Sequence, residues 1–183
     1  PEVGEDFDLE RILEVVEAVW TNPEGYMEHF LVIKTKSAEL VRFRLNRTQY
    51  DLLQVIKADW KAGVPVRILI LKARQEGVST FVQALFFTLV TTNPHMTMWV
   101  IAHDRESSGN LFAMSERFLD NLDRRLVPMV RNRDKKRIRF DNPDALARAT
   151  RPGLDSRIYV DQAKNVNAGR SDTINLLHIS ERA

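Results

Sequence analysis

The sequence predicts an α/β domain, a mostly parallel sheet flanked by helices, on three observations. Val66–Leu71 (Val-Arg-Ile-Leu-Ile-Leu) is a nearly continuous apolar run, the pattern of a strand buried on both faces in a parallel sheet. Met96–Ala102 is a second such run. Segments with helical spacing follow each of them, so strand and helix alternate along the chain.

Taken in order, Phe7–Trp20 carries Phe7, Leu9, Ile12, Leu13, Val16, Val19 and Trp20 on a helical stripe. Glu28–Lys36 is rich in β-formers (Phe30, Leu31, Val32, Ile33) and is expected to pair with Leu40–Phe43 in a hairpin around Lys36-Ser37-Ala38. Asn46 is a good helix cap, Gln49 three residues later completes a capping box, and Gly63 marks the stop. After Val66–Leu71 comes a loop from Lys72, then an apolar helix from about Ser79 to Thr92, ended by Asn93-Pro94. Arg105 to about Arg125 reads as an amphipathic helix, with Leu111, Phe112, Met114, Phe118, Leu119 and Leu122 on its apolar side. Arg157–Asp161 is a further strand candidate. Asn175–Ser180 is another, expected at the centre of the sheet with Val66–Leu71 and Met96–Ala102. The chain divides into an N-terminal helix and hairpin (1–45) and a core (46–183), with no internal repeat.

Composition bounds the chemistry. A chain of 183 residues, 44% apolar and 28% charged, suits one soluble domain. The absence of cysteine excludes disulfides and thiolate metal sites. No apolar stretch reaches the roughly 18 residues of a membrane span, and Phe81–Val90, with Gln83 and Thr88, reads as a buried helix. The N-terminus is acidic, unlike a secretory signal, and Pro1 in place of Met suggests a true start that lies upstream or was processed. His29, His95, His103 and His178 form no ligand-spaced cluster, which sets a metalloenzyme aside, and His178 reads as a core histidine. Net charge is only +2, but Arg124–Phe140 holds eight basic residues against Asp134 alone. That run is either a solvated surface loop or a patch that contacts phosphates.

The segment after the first buried strand is the most informative. A phosphate loop needs a strand, a turn, and a helix whose free first-turn N–H groups face the anion. A glycine lets the backbone approach, a lysine adds charge, and a Ser or Thr at the helix start coordinates magnesium. In Leu71-Lys72-Ala73-Arg74-Gln75-Glu76-Gly77-Val78-Ser79-Thr80, Gly77 and Ser79 hold the second glycine and Ser/Thr positions of G-x-x-x-x-G-K-[ST]. Val78 stands at the usual lysine and Lys72 at the usual first glycine. An ordinary β–α turn with surface charges is the competing reading.

Lys-Ala-Arg-Gln-Glu-Gly-Val-Ser-Thr (Lys72–Thr80) resembles the deviant Walker A motif of phage large terminases, in which the lysine moves to the front of the loop. Asn46-Arg47-Thr48-Gln49 is similar to the same family's adenine-recognition motif, and a glutamine amide can donate to and accept from the adenine edge together. A helix-capping Gln49 is the alternative, and one rotamer cannot fill both roles. Ile174–Glu181 resembles the family's Walker B strand, with Ser180-Glu181 where Asp-Glu is usual. In that family an arginine just ahead of the strand acts on the neighbouring subunit's ATP, and Arg170 in Ala168-Gly169-Arg170-Ser171 matches it.

The resemblance covers about Leu40–Ala183 and implies an ASCE-type P-loop ATPase domain that drives double-stranded DNA into a procapsid. It assigns the phosphates and adenine of ATP to Gln49 and to Lys72, Ala73, Arg74, Gln75, Glu76, Gly77, Val78, Ser79 and Thr80. Catalysis falls to Glu181, Arg170 and Lys72, and Mg²⁺ to Ser79 and Ser180, a hydroxyl being a poorer ligand than the usual carboxylate. Arg131, Arg133, Lys135, Lys136, Arg137 and Arg139 are expected on duplex phosphates. The implied partners are a portal protein, a small terminase subunit and further copies in a ring, in the cytoplasm of a bacterial host, with no membrane. A complete family member continues past Ala183 with a coupling motif, further strands and a nuclease domain, so no nuclease chemistry is expected here, and the sheet is expected to lack the strand between Val66–Leu71 and Asn175–Ser180. A helicase-like P-loop translocase and a non-catalytic prophage remnant or DNA-binding assembly fragment are the alternatives.

Overall fold

The structure, a computed structural model, describes residues 8–71, 76–165 and 173–180. It is α/β, with one mixed sheet, a separate two-stranded hairpin and five α-helices among the described residues. Asp8 starts α1 (Leu9–Glu17) by accepting from the Arg11 N–H at 2.8 Å, and a 3-10 turn, Ala18–Trp20, extends it. Asn22 then caps α2 (Pro23–Phe30) with proline in its first turn, where the missing N–H costs nothing. This helix takes Glu28–Phe30 from the expected strand, leaving β1 as Val32–Lys34 alone. Its partner is β2 (Leu40–Arg42), antiparallel with Val32 opposite Arg42.

The next two helices lie where the sequence puts them. In α3 (Arg47–Ala62) both halves of the Asn46–Gln49 capping box are formed, and Gly63 ends the helix at φ 66°. The apolar helix is α4 (Val78–Thr92), beginning after Gly77 at φ 71°. A four-residue link leads to β3 (Thr97–Ala102), then to α5 (Arg105–Asp120), which ends five residues short of the expected Arg125. The basic run is loop from Arg124 to Arg131 and mostly strand beyond it. It forms β4 (Asn132–Asp134) and β5 (Arg137–Asp141), a hairpin turning on Lys135-Lys136. The strands β6 (Gly153–Gln162) and β7 (Leu176–Ser180) complete the sheet.

Sheet order is β4-β5-β6-β3-β7. The pairs β6–β3 and β3–β7 are parallel, whereas β4–β5 and β5–β6 are antiparallel. The sheet is therefore mixed rather than mostly parallel. Two further corrections concern its centre. Val66–Leu71 forms no strand: Leu69 and Leu71 are 100% and 102% exposed. Asn175–Ser180 supplies β7, but β7 pairs with β3 alone and stands at the sheet's edge. The physical reason is the same for both. A strand needs a neighbour for its N–H and C=O groups, and no described segment pairs with Val66–Leu71 or with the outer edge of β7.

One face of the sheet presents Ile138, Phe140, Ile158, Val160, Met98, Val100 and Ala102 to α4 and α5, all within one buried cluster that continues through Phe81, Leu85, Phe118 and, past the 1–45 segment's boundary, Tyr26, Met27 and Leu31. The opposite face carries the alternate residues Tyr159, Trp99, Ile101, Leu177 and Ile179, with Trp99 stacked on Tyr159 at 4.9 Å. Leu177 and Ile179 there are open to solvent. No helix among the described residues is long and apolar enough to cross a membrane.

Candidate nucleotide-binding site

Gly77 is the pivot of the site. Its left-handed backbone (φ 71°) suits glycine, and a Cβ placed on it would lie 2.7 Å from Gln49 Nε2. The glycine is thus required by its conformation and by the amide that covers it. From Gly77 the chain enters α4 with no side-chain cap. The first internal bond of the helix is Phe81 N–H to the Gly77 carbonyl at 3.0 Å. No described group accepts from the N–H of Val78, Ser79 or Thr80. Those donors, with the positive end of the helix dipole, form the kind of terminus that takes an anion.

The structure brings two of the sequence-assigned segments into contact across nearly thirty residues. Gln49 Nε2 donates to the Gly77 carbonyl at 2.8 Å, and Asn46 Nδ2 donates to the Glu76 carbonyl at 3.2 Å. Gln49 Oε1 accepts from the Asn46 N–H at 2.9 Å, and Asn46 Oδ1 accepts from the Gln49 N–H at 2.9 Å. Gln49 is 4% exposed, so both ends of its amide are committed to capping and to Gly77. Reading adenine would take another rotamer.

The third segment is tied to the first through a buried polar bridge that sequence reasoning missed. Gln83 of α4 is fully buried and bonds His178 Nδ1 of β7 at 2.8 Å, while its Oε1 accepts from Ser115 of α5 at 3.3 Å. The short α4–β3 link makes α4 run back along the sheet, antiparallel to β3 and β7. Its first turn, with Ser79, therefore lies at the same sheet end as Ser180, which is in register with Ala102. Ligands of open α/β sheets sit at that carboxyl end. Thr80 borders a small crevice with Ile33, Lys34, Met114 and Phe118. Lys72, Ala73, Arg74, Gln75, Arg170 and Glu181 lie outside the described residues.

The basic hairpin is largely compensated. Arg133 reaches Glu116 at 3.1 Å and Asp120 at 2.9 Å, both on α5. Arg131 pairs with Asp141 at 3.6 Å, Lys136 with Asp161 at 3.4 Å, and Arg137 with Asp134 at 2.7 Å. Lys135 and Arg139 have no ion pair among the described residues. The hydrogen bond from Arg133 holds the Asp120 carboxyl below its ordinary range. Burial pushes the Asp161 carboxyl up, but the Gln162 N–H, the Asn165 amide and Lys136 outweigh it and leave the group lowered. Beneath the hairpin a cavity of about 580 Å³ opens against Arg105, Gly109 and Phe112 of α5 and the end of β6, apart from the Gly77 turn.

No three His, Asp or Glu side chains among the described residues cluster as a ready metal site. Comparison with known proteins adds no family: no family model matches the chain, and no curated protein matches it.

Proposed function

We propose that this chain is an ATP-binding domain of the terminase type, coupling ATP hydrolysis to the movement of double-stranded DNA into a procapsid. One observation carries the reading. The Asn46–Gln49 and Glu76–Thr80 segments, matched separately to adenine and phosphate motifs, are hydrogen-bonded to each other at an uncapped helix start. An ordinary β–α turn gives no reason for that meeting.

The described residues fit the phosphates of ATP. The free N–H groups of the first turn of α4 would hold phosphate oxygens, and the Ser79 hydroxyl, with that of Ser180, would hold the magnesium ion of the nucleotide. The bound ion would neutralise charge on the transferring phosphate. Lys72 and Arg74 would add cations, Glu181 would orient the attacking water, and Arg170 would reach a neighbouring subunit's nucleotide. Ser180 supplies a hydroxyl where a carboxylate is usual, which favours a weaker hold on the metal.

The test separates binding from turnover. Titration with MgATP is expected to show binding that Ser79→Ala and Lys72→Ala each weaken. Unchanged affinity in both variants contradicts the reading, and binding without hydrolysis in the assembled protein turns it into the non-catalytic alternative. DNA contact is proposed through Lys135 and Arg139. With two uncompensated cations, log affinity should fall against log salt with a slope of about −1.8. A slope nearer the value for six phosphates means that DNA displaces the hairpin's ion pairs.

A further inference from the structure

We infer that Asn46 and Gln49 are positioning residues for the phosphate turn, aiming its N–H groups by holding its carbonyls. The inference rests on the nucleotide reading above and gives Gln49 a task other than adenine recognition. Its basis is the direction of two successive peptide groups. Asn46 Nδ2 holds the Glu76 carbonyl, and Gln49 Nε2 holds the Gly77 carbonyl. Both peptides are trans, so the N–H that follows each carbonyl points the opposite way. Fixing the two oxygens toward α3 thus directs the N–H groups of Gly77 and Val78 away from α3. These are the first donors at the start of α4.

The amides are suited to that work by what else they do. Each side chain also accepts from the other's backbone N–H, so the capping box fixes both amides in place before they reach the turn. Gln49 is almost wholly buried against Gly77, where even a methyl group would collide with its nitrogen. Swinging Gln49 out to a base would break two hydrogen bonds and leave the Asn46 N–H without its partner. The side chain therefore acts on every ligand that carries the phosphates, whatever its base.

The experiment uses the whole chain and three magnesium-loaded probes: ATP, GTP and inorganic tripolyphosphate, which has no base. The variants are Asn46→Ser, which keeps a helix cap, and Gln49→Met, which keeps length without hydrogen bonds. Affinities are measured by titration calorimetry, with melting curves to confirm folding. The expected result is a loss of about tenfold for all three probes in each variant, the size of one lost hydrogen bond to a carbonyl, with the ATP-to-GTP ratio unchanged. A Gln49→Met protein that loses ATP affinity but holds tripolyphosphate as well as wild type overturns the inference, because Gln49 then reads the base. Wild-type affinity in Asn46→Ser for tripolyphosphate also overturns it, since a purely structural cap predicts that outcome. If Gln49→Met fails to fold, Asn46→Ser decides alone. Failure of the wild-type chain to bind any of the three probes removes the nucleotide reading itself, an outcome distinct from the others.

Discussion

The two sides of β3 behave differently although their sequences promise the same thing. On one side β6 pairs along the full length of β3, and the hairpin β4–β5 continues the sheet outward. On the other side β7 is the last strand among the described residues, and Val66–Leu71, five of whose six residues are apolar, pairs with no strand. Ile158 on the paired side is fully buried, while Leu69 and Leu71 stand wholly in solvent. An apolar run therefore states a demand for burial, and a strand forms only where a neighbour meets the demand. Edges of this kind invite a further strand.

Stability should follow that division. Phe140→Ala empties a fully buried position on the paired side and is expected to cost about 3–5 kcal/mol in urea unfolding. Leu69→Ala should stay within about 0.5 kcal/mol, as for an exposed site. A Leu69 effect comparable to that of Phe140 would mean that Val66–Leu71 is covered in solution, and the contrast between the halves would fail.

A second contrast sharpens the first at the turn. Gly63 and Gly77 share a left-handed backbone, but nothing lies within 4 Å of a Cβ on Gly63, whereas Gln49 blocks one on Gly77. Gly63→Ala should cost about 1–2 kcal/mol, the strain of the left-handed conformation alone. Gly77→Ala should cost more, because Gln49 must also move. Equal costs would say that the Gln49–Gly77 contact is loose.

The paired side owes part of its outer order to ion pairs of modest worth. Arg133→Ala removes the contact with Glu116 and Asp120 and should cost at most about 1 kcal/mol, less in high salt. A salt-independent loss would point to packing of the side chain's stem instead. The pH dependence has a definite sign. Hydrogen bonds from the Arg125 side chain and backbone hold the Asp123 carboxyl down to about 2, and Asp120 and Asp161 are lowered as well. Carboxyls lowered by folding stabilise above their ordinary range and lose that contribution as pH falls toward the folded values. The advantage of wild type over Asp123→Asn in melting temperature should hold at pH 5 and shrink between about pH 4 and pH 2. A constant difference would contradict the assignment.

What could be read in the sequence was what local chemistry decides. Asn46, Gln49, Gly63 and the Asn93-Pro94 stop set α3 and α4 nearly to the residue, because caps and breakers act within a turn. The start of α2 is equally local, in Asn22-Pro23, but the β-formers that follow carry a competing strand signal. The hairpin was written too: in Arg137-Ile138-Arg139-Phe140 basic and apolar residues alternate, with Ile138 and Phe140 inside. Reading charge alone hid that period. Asp134 and Asp141 lie within the hairpin itself, but the other acidic partners of the basic run could not be read, since Glu116, Asp120 and Asp161 come from other elements brought beside the hairpin by folding. Of the candidate site, the sequence singled out Gly77 and Gln49, but the direction in which Gln49 bonds depends on how α3 meets α4.

Amide hydrogen exchange of the whole chain, with and without MgATP, tests the central claim most directly. The N–H groups of Gly77, Val78, Ser79 and Thr80 have no described acceptor and should exchange fast in the free protein. Bound phosphates are expected to slow these four together, with little change at the β4–β5 hairpin. Protection confined to the hairpin and the cavity beneath it, with the first turn of α4 unaffected, would place the nucleotide elsewhere and contradict the account.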